Sequence, residues 1–418
     1  MTRLATAWLV YRVTDSAFLL GVVSFAGQIP SFFIPPVAGV WVDRLDRHKV
    51  LVATQVLAML QSLAMAALTL SGHINISWVI GLTLFQGIVN AVDIPTRQSF
   101  VVLMIEDRAD LSNAIALNSS NFNAARLVGP AIAGAVVAAV GEGYCFLIDG
   151  ISYIAVIAGL LAMKLAKDER PRSEKHVWHE VTEGWKYVTR SAPIRTILIF
   201  LAVIGIVGAP YTVLTPMIAG EILRGGAHTL GFLMAASGVG ALVCAVGLVL
   251  RKTVVGLARR MAIAVAMFGV GCVLLGISQW FWISMMLMAI TGYGLMNQIV
   301  ASNTIVQTIV EDDKRGRVMS FYTIALLGSA PIGSLLTGSL AARIGVQATF
   351  VVSGIACALA AGWFWRQLPG IRRAIRPRYA ELGIIDVSYS TDQATRIGAA
   401  PDATSSGEPE VELEAELE

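Results

Sequence analysis

Apolar runs of about 20 residues recur along nearly the whole chain, and this recurrence restricts the fold more than any other feature. Each run is long enough to cross the ~30 Å hydrocarbon core of a bilayer. Hydrocarbon offers no water to backbone N–H and C=O groups, so a crossing run must satisfy them internally, as a helix. The pattern predicts twelve helices, over residues 4–13, 17–42, 50–70, 77–96, 113–140, 144–165, 196–222, 229–250, 261–277, 280–302, 318–344 and 346–365. The expected fold is an all-α membrane protein made of two six-helix bundles. Composition argues the same way. A chain of 418 residues could form two or three soluble domains, but only 14% of this one is charged, against about 25% in soluble chains. A net charge of +3 is too small to imply a nucleic-acid partner. The first run has no basic leader and no small-residue cleavage site, so no cleavable signal peptide is read. Cys145, Cys244, Cys272 and Cys357 lie singly in or beside apolar runs, without metal or redox spacing, and read as small buried hydrophobes.

Lys and Arg fix an orientation. The connections after the even-numbered predicted helices, with the C-terminal tail, hold 26 of the 31 Lys and Arg residues. The opposite connections hold only Arg12, Arg224 and Arg343. The basic side is expected to be cytoplasmic. Trp78, Trp280 and Trp282 at one interface, and Trp41, Trp363 and Trp365 at the other, form the aromatic belts of a multi-pass protein. The longest polar link divides the chain, giving bundles over 1–166 and 196–368, a linker over 167–195 and a tail over 369–418. In the linker, Val177, Val181 and Val188 share one helical face beside Trp178 and Trp185, which predicts an amphipathic helix on the inner leaflet. Arg372, Arg373, Arg376 and Arg378 form a juxtamembrane cluster suited to anionic headgroups, and the acidic end of the tail is expected to be disordered.

The halves echo one another. SFVVLMIED from Ser99 and TIVQTIVED from Thr304 each lie between the fourth and fifth helix of their half. Each precedes a helix that carries Gly129-Pro130 or Ala330-Pro331. Paired bundles with a site between them are a transporter pattern.

The loop after predicted helix 2 reads GVWVDRLDRHK from Gly39. It resembles the signature loop of the major facilitator superfamily, with Gly39, Asp43, Arg44, Arg47 and Lys49 at the signature positions. Asp46 stands where a second glycine is usual, as in the branch that resembles the enterobactin exporter and macrolide-efflux proteins. DIPTRQSFV from Asp93, NAARLVGPAIAG from Asn123 and RGRVMSFYTIALLGSAPIGSLL from Arg315 extend the resemblance over nearly the whole membrane region. It implies the major facilitator fold, with predicted helices 1, 4, 7 and 10 around a central cavity. It also implies that Asp43 latches an inner gate against the start of predicted helix 11, next to Arg317. Members of the family begin with a full first helix. This chain opens with about ten apolar residues, so its first helix is expected to be short. The loop after predicted helix 8 keeps basic residues, from Arg251 to Arg260, but has no acid.

Predicted helix 4 carries Gln86, Asn90, Asp93 and Arg97 on one stripe. Such a stripe is costly against lipid, so it faces either a cavity, with Asp93–Arg97 as a gating pair, or neighbouring helices, with the pair structural. Arg44 or Arg47 could reach the Asp93 end of this helix. Predicted helix 5 carries Asn123 and Arg126, an arginine at bilayer depth and by default a functional candidate, with a structural anchor as the alternative. Asp149 sits too shallow to be its partner. Tyr211 and Thr215, with Tyr293 and Asn297, are the matching polar positions of the second half. These uncharged, aromatic-containing walls suit an amphipathic small molecule.

The chain has no G-x-x-x-x-G-K-[ST] loop, no H-E-x-x-H, no G-x-S-x-G and no paired metal ligands. It is expected to need no cofactor and to catalyse no reaction. The expected function is ion-driven export of a small amphipathic substrate from a bacterial inner membrane, by a monomer, with protons as candidate coupling ion and Asp93 as the best visible acid. A lipid flippase on the same scaffold, and a membrane receptor or assembly factor that has lost transport, are the alternatives.

Overall fold

A computed structural model describes residues 1–34, 46–101, 111–163, 177–251, 253–311, 314–382 and 384; within the helices it leaves out the side chains of residues 99, 101, 111–116, 118–123, 126–127 and 177–181. Among the described residues the chain is helical. The N-terminal half comprises α1 (Thr2–Thr14), α2 (Ala17–Gln28), α3 (Pro30–Phe33), α4 (Arg47–Leu70), α5 (Ile76–Val101), α6 (Leu111–Val140) and α7 (Glu142–Ala162). A linker helix, α8 (Val177–Arg190), follows. The C-terminal half comprises α9 (Ala192–Val207), α10 (Pro210–Val213), α11 (Thr215–Met217) with a π-helical turn (Ile218–Ile222), α12 (Ala227–Val249), α13 (Leu257–Ile277), α14 (Phe281–Ile309), α15 (Arg315–Leu327), α16 (Ser329–Ile344) and α17 (Val346–Glu381).

Nine helical spans among the described residues are long and apolar enough to cross a membrane, and Ala17–Phe33 and Val128–Val140 are shorter apolar helices. With α1, every predicted crossing has its helix. The 13 residues of α1 extend about 20 Å, short of the hydrocarbon core as expected.

The boundaries differ from the predicted ones for local reasons. Predicted helix 2 is broken at Pro30, which has no N–H to continue the ladder. Predicted helix 7 is broken after Gly208; Pro210 and Pro216 restart it in short pieces before the π turn. Predicted helix 11 pauses at Gly328. Two helices run past their predicted ends. α14 continues to Ile309 because Ile305 and Val306 stay buried. α17 continues to Glu381, so the stretch taken as the start of a tail is helical. Its buried residues Phe364, Leu368, Ile371 and Ile375 keep the four–three–four spacing of a packed face, which holds the helix through Pro369.

Within the N-terminal half α4 packs on α5 and α7, and α2 on α5; within the C-terminal half α13 packs on α14 and α17, and α12 on α14. The halves meet where α6 crosses α12 and α2 crosses α16. Both crossings are glycine on glycine. A Cβ on Gly134 would lie 2.7 Å from the Cα of Gly231, and one on Gly21 2.9 Å from the Cα of Gly338. All four glycines lie near the membrane face that carries the few-basic loops, and there Tyr11 of α1 also packs on Gly220 of the π turn. The echo between the halves extends further than the sequence reading found. α6 turns into α7 through Gly141 (φ 90), and α16 into α17 through Gly345 (φ 85), a left-handed conformation that glycine adopts without strain.

Candidate functional site

On α5 the polar stripe is formed as the spacing required. Gln86 Nε2 donates to Asn90 Oδ1 at 3.2 Å, and Arg97 donates to Asp93 Oδ2 at 2.9 Å, each pair one turn apart. The second Asp93 oxygen accepts from Thr54 Oγ1 at 2.8 Å and Gln55 Nε2 at 2.6 Å, both on α4. Asp93 is buried and the Arg97 side chain is half exposed. Three donors converge on one carboxylate and stitch α4 to α5 toward the basic-loop side. Gln86 Oε1 is buried without a hydrogen-bond partner among the described residues, a polar atom left for a solute or water to meet.

Two more acids bind the N-terminal half together. Glu142 takes Arg12 through Nε at 2.8 Å and Nη2 at 3.2 Å, joining α1 to α7. Asp149 accepts from Thr2 at 2.6 Å and Ser62 at 3.0 Å, joining α1, α4 and α7. The sequence reading missed Thr54, Gln55 and Ser62 as partners, although buried polar residues on an apolar span were the available signal.

Of the signature loop, Gly39, Asp43 and Arg44 lie outside the described residues. Arg47 opens α4, and Asp46 caps it by accepting from the backbone N–H groups of His48 at 3.0 Å and Lys49 at 3.4 Å. An aspartate at the N-cap satisfies N–H groups that a glycine would leave to water, worth a few tenths of a kcal/mol over glycine. His48 reaches the carbonyl of Leu160 at 2.7 Å and stacks on Phe100, tying this corner to α7 and α5.

Arg317 is engaged by the linker. It pairs with Glu183 of α8 at 2.9 Å. Gly184 of α8 lies against Phe321 and the Cβ of Arg317, and Val188 is buried. α8 thus packs one face on α15, a protein contact beyond the leaflet-lying helix that the sequence suggested. In the loop after α12, Arg251 ties down the backbone through the carbonyls of Thr253 and Val255. Burial and the nearby Arg260 lower its pKa.

The second-half candidates separate. Tyr211 is buried, with its hydroxyl bonded to Ser237 of α12 and its ring edge-on to Phe268 of α13. The Thr215 hydroxyl donates to the Tyr211 carbonyl. Asn297 is buried, and its Oδ1 has no hydrogen-bond partner among the described residues. These three lie inside the C-terminal bundle in this conformation, not on an open wall. Tyr293 is half-buried and begins a more accessible face of α14 that continues through Met296, Val300, Asn303 and Gln307 at three- and four-residue steps. That face leads to a cavity of about 510 Å³ at the basic-loop end of the C-terminal half, walled by Ile299, Val300, Asn303, Thr304, Gln307 and Thr308, with Arg315 and Leu382. Asn303 and Gln307 were missed because they fall beyond the predicted end of helix 10. The side chains of Asn123 and Arg126 on α6 lie outside the described residues. Among the described residues no group of three or more His, Cys, Asp or Glu could hold a metal ion. The four cysteines are buried and unpaired.

Two helical halves that cross on glycines near one membrane face form the fold of a multi-pass secondary transporter, not an enzyme. The chain belongs to the transmembrane secretion effector family of the major facilitator superfamily, whose sequence profile matches residues 1–375. It is 29% identical to a staphyloferrin A transporter of Staphylococcus aureus, over 83% of this chain and 87% of that one. It is 26% identical to the multidrug efflux pump Tap of Mycolicibacterium fortuitum (84% and 87% covered) and 20% identical to macrolide efflux protein A of Streptococcus pyogenes (84% and 88%). Among solved structures it resembles the nucleoside transporter NupG, with a TM-score of 0.70, 11% identity and 88% and 94% covered. It also resembles a bacterial homologue of the lysosomal transporter Spinster in an inward-facing, unoccupied conformation, with a TM-score of 0.63, 13% identity and 90% and 95% covered.

Proposed function

We propose that the protein exports small amphipathic molecules, siderophore- or drug-like, across a bacterial inner membrane by alternating access, as a monomer with its C-terminus in the cytoplasm. The observation that carries this reading is the placement of the polar cavity at the basic-loop end of α14 while the halves cross on glycines near the other face. With the basic loops cytoplasmic, that is a loading state open to the inside. A wall that mixes Asn303, Thr304, Gln307 and Thr308 with Ile299 and Val300, and has Arg315 at its edge, suits a substrate with both polar and apolar surface. The names of the relatives, a staphyloferrin A transporter and two efflux proteins, support export of such molecules.

Protons are the proposed coupling ion, with Asp93 as their acceptor. Asp93 is a buried acid held by three donors, and its partner Arg97 has a half-exposed side chain with room to move away. Asp43 acting on the start of α15 remains the proposed inner latch, with Gly39, Arg44, Arg47 and Arg317 around it. The deciding experiment is transport into inverted vesicles, with a panel of siderophores and cationic dyes and an imposed proton gradient. Gradient-dependent accumulation of one class is expected. No accumulation of any of them, with the protein folded, overturns the export reading.

A further inference from the structure

A groove of about 620 Å³ runs along the outside of the C-terminal half, between α13 and α17 with α14 as its floor. Its lining is apolar throughout, and small residues make the room: Ala262, Ala266 and Gly271 on α13, and Ala358, Ala361 and Gly362 on α17. On α13 it extends from Ala262 to Leu274, about 18 Å of helix, somewhat more than the ~15 Å thickness of one leaflet's hydrocarbon. Ile263, Met267, Val270 and Leu274 along its edge are exposed large apolar side chains, so the groove opens sideways into lipid. One end is not apolar. Arg259 lies on the same face of α13, one turn before Ile263, at the basic-loop side. Its guanidinium sits 5.8 Å from the ring centroid of Trp365, and Trp365 lines the groove. A leaflet-length apolar channel that ends at a cation held over an interfacial tryptophan matches one ligand chemistry: an acyl chain joined to an anionic headgroup.

We infer that this groove binds an anionic phospholipid of the basic-side leaflet, with one acyl chain between α13 and α17 and its phosphate at Arg259. The site is separate from the transport cavity, and the inference does not rest on the proposed export. Both walls belong to the C-terminal half, so a seated chain fills the space between two of its helices and lies away from the crossings between halves.

Native mass spectrometry of the full chain in detergent, with equal amounts of phosphatidylglycerol and phosphatidylcholine, tests the site. One cation near the headgroup is worth about 1 kcal/mol, so the wild type should retain phosphatidylglycerol about fivefold over phosphatidylcholine in its tightest-bound adduct. Arg259→Gln should still retain a lipid but lose that preference. Gly362→Leu places its side chain where nothing lies within 4 Å of an added Cβ, so the fold has room for it while the groove is filled. It should lose the tight adduct of either lipid at an unchanged melting temperature. Equal retention of both lipids by the wild type, an adduct that survives Gly362→Leu, or a preference unchanged in Arg259→Gln would each overturn the site.

Discussion

Asp93 shows how much a single residue can be read from sequence. Its partner Arg97 was visible because one helical turn places i and i+4 together whatever the tertiary fold. Its partners Thr54 and Gln55 were not, since no spacing within α5 encodes the register of α4 against it. Their geometry orders two substitutions. Asp93→Asn keeps an acceptor for Thr54 or Gln55 but loses the charge on three bonds, an expected loss of about 1–3 kcal/mol. Asp93→Ala leaves the buried Gln55 amide without an acceptor, while Thr54 keeps the Leu51 carbonyl and Arg97 reaches solvent, and it should cost more than Asp93→Asn. Melting in detergent checks the order, and Asn destabilising as much as Ala would mean the charge alone matters. The same pair tests coupling: an Asp93→Asn protein that still moves protons with substrate removes Asp93 from that role. Glu142 offers a parallel case. Arg12→Gln leaves a buried carboxylate facing a neutral amide and should lower stability by about 1–3 kcal/mol, measured by the same melt.

At the scale of elements, apolar run length located the helices, because an apolar run of about 20 residues in lipid satisfies its backbone as a helix. It did not reveal where a helix breaks, since Pro30, Pro210 and Gly328 interrupt the ladder without interrupting the hydrophobicity. Nor did it reveal how the halves join. The glycines at 21, 134, 231 and 338 are unremarkable in apolar sequence, and only the structure pairs them across the interface. That pairing predicts a conformational shift. Gly134→Ala puts a methyl 2.7 Å from the Cα of Gly231 and 2.9 Å from the carbonyl of Ala227, backbone atoms that cannot step aside cheaply. Overpacking of this kind costs about 1–3 kcal/mol. It penalises only the state in which this crossing is closed, so populations should move by about 5–150-fold toward the open one. Spin labels at His73 and His228, exposed on the few-basic side of the two halves, should report a longer distance in Gly134→Ala than in the parent. An unchanged distance distribution means that the crossing is not a hinge.

For the whole molecule, the one property carried by sequence rather than shape is which way round it sits. The helices alternate direction, so loops after even crossings share one face, and 26 of 31 Lys and Arg residues fall there. Transporting so many cations during insertion is opposed, which is the reason the proposed orientation puts that face in the cytoplasm. Shape then adds what charge cannot supply. The glycine crossings and the Tyr11–Gly220 contact close the few-basic end, and the Asn303–Gln307 wall lies toward the basic end. In the proposed orientation that wall lies at the cytoplasmic end, as in the state from which export would load. Single cysteines separate the parts of this argument. His73→Cys and His228→Cys should react with a membrane-impermeant maleimide added to whole cells, and Arg190→Cys on the linker helix only after permeabilisation. Reversed labelling of these three would overturn the orientation while leaving the fold intact. Gln307→Cys should react in inverted vesicles and stay unreactive in whole cells. If the loops label as expected but Gln307→Cys stays unreactive in inverted vesicles, the topology stands and the cavity is closed on the basic-loop side at rest, so the closure at Tyr11 and Gly220 is not the state the protein occupies at rest.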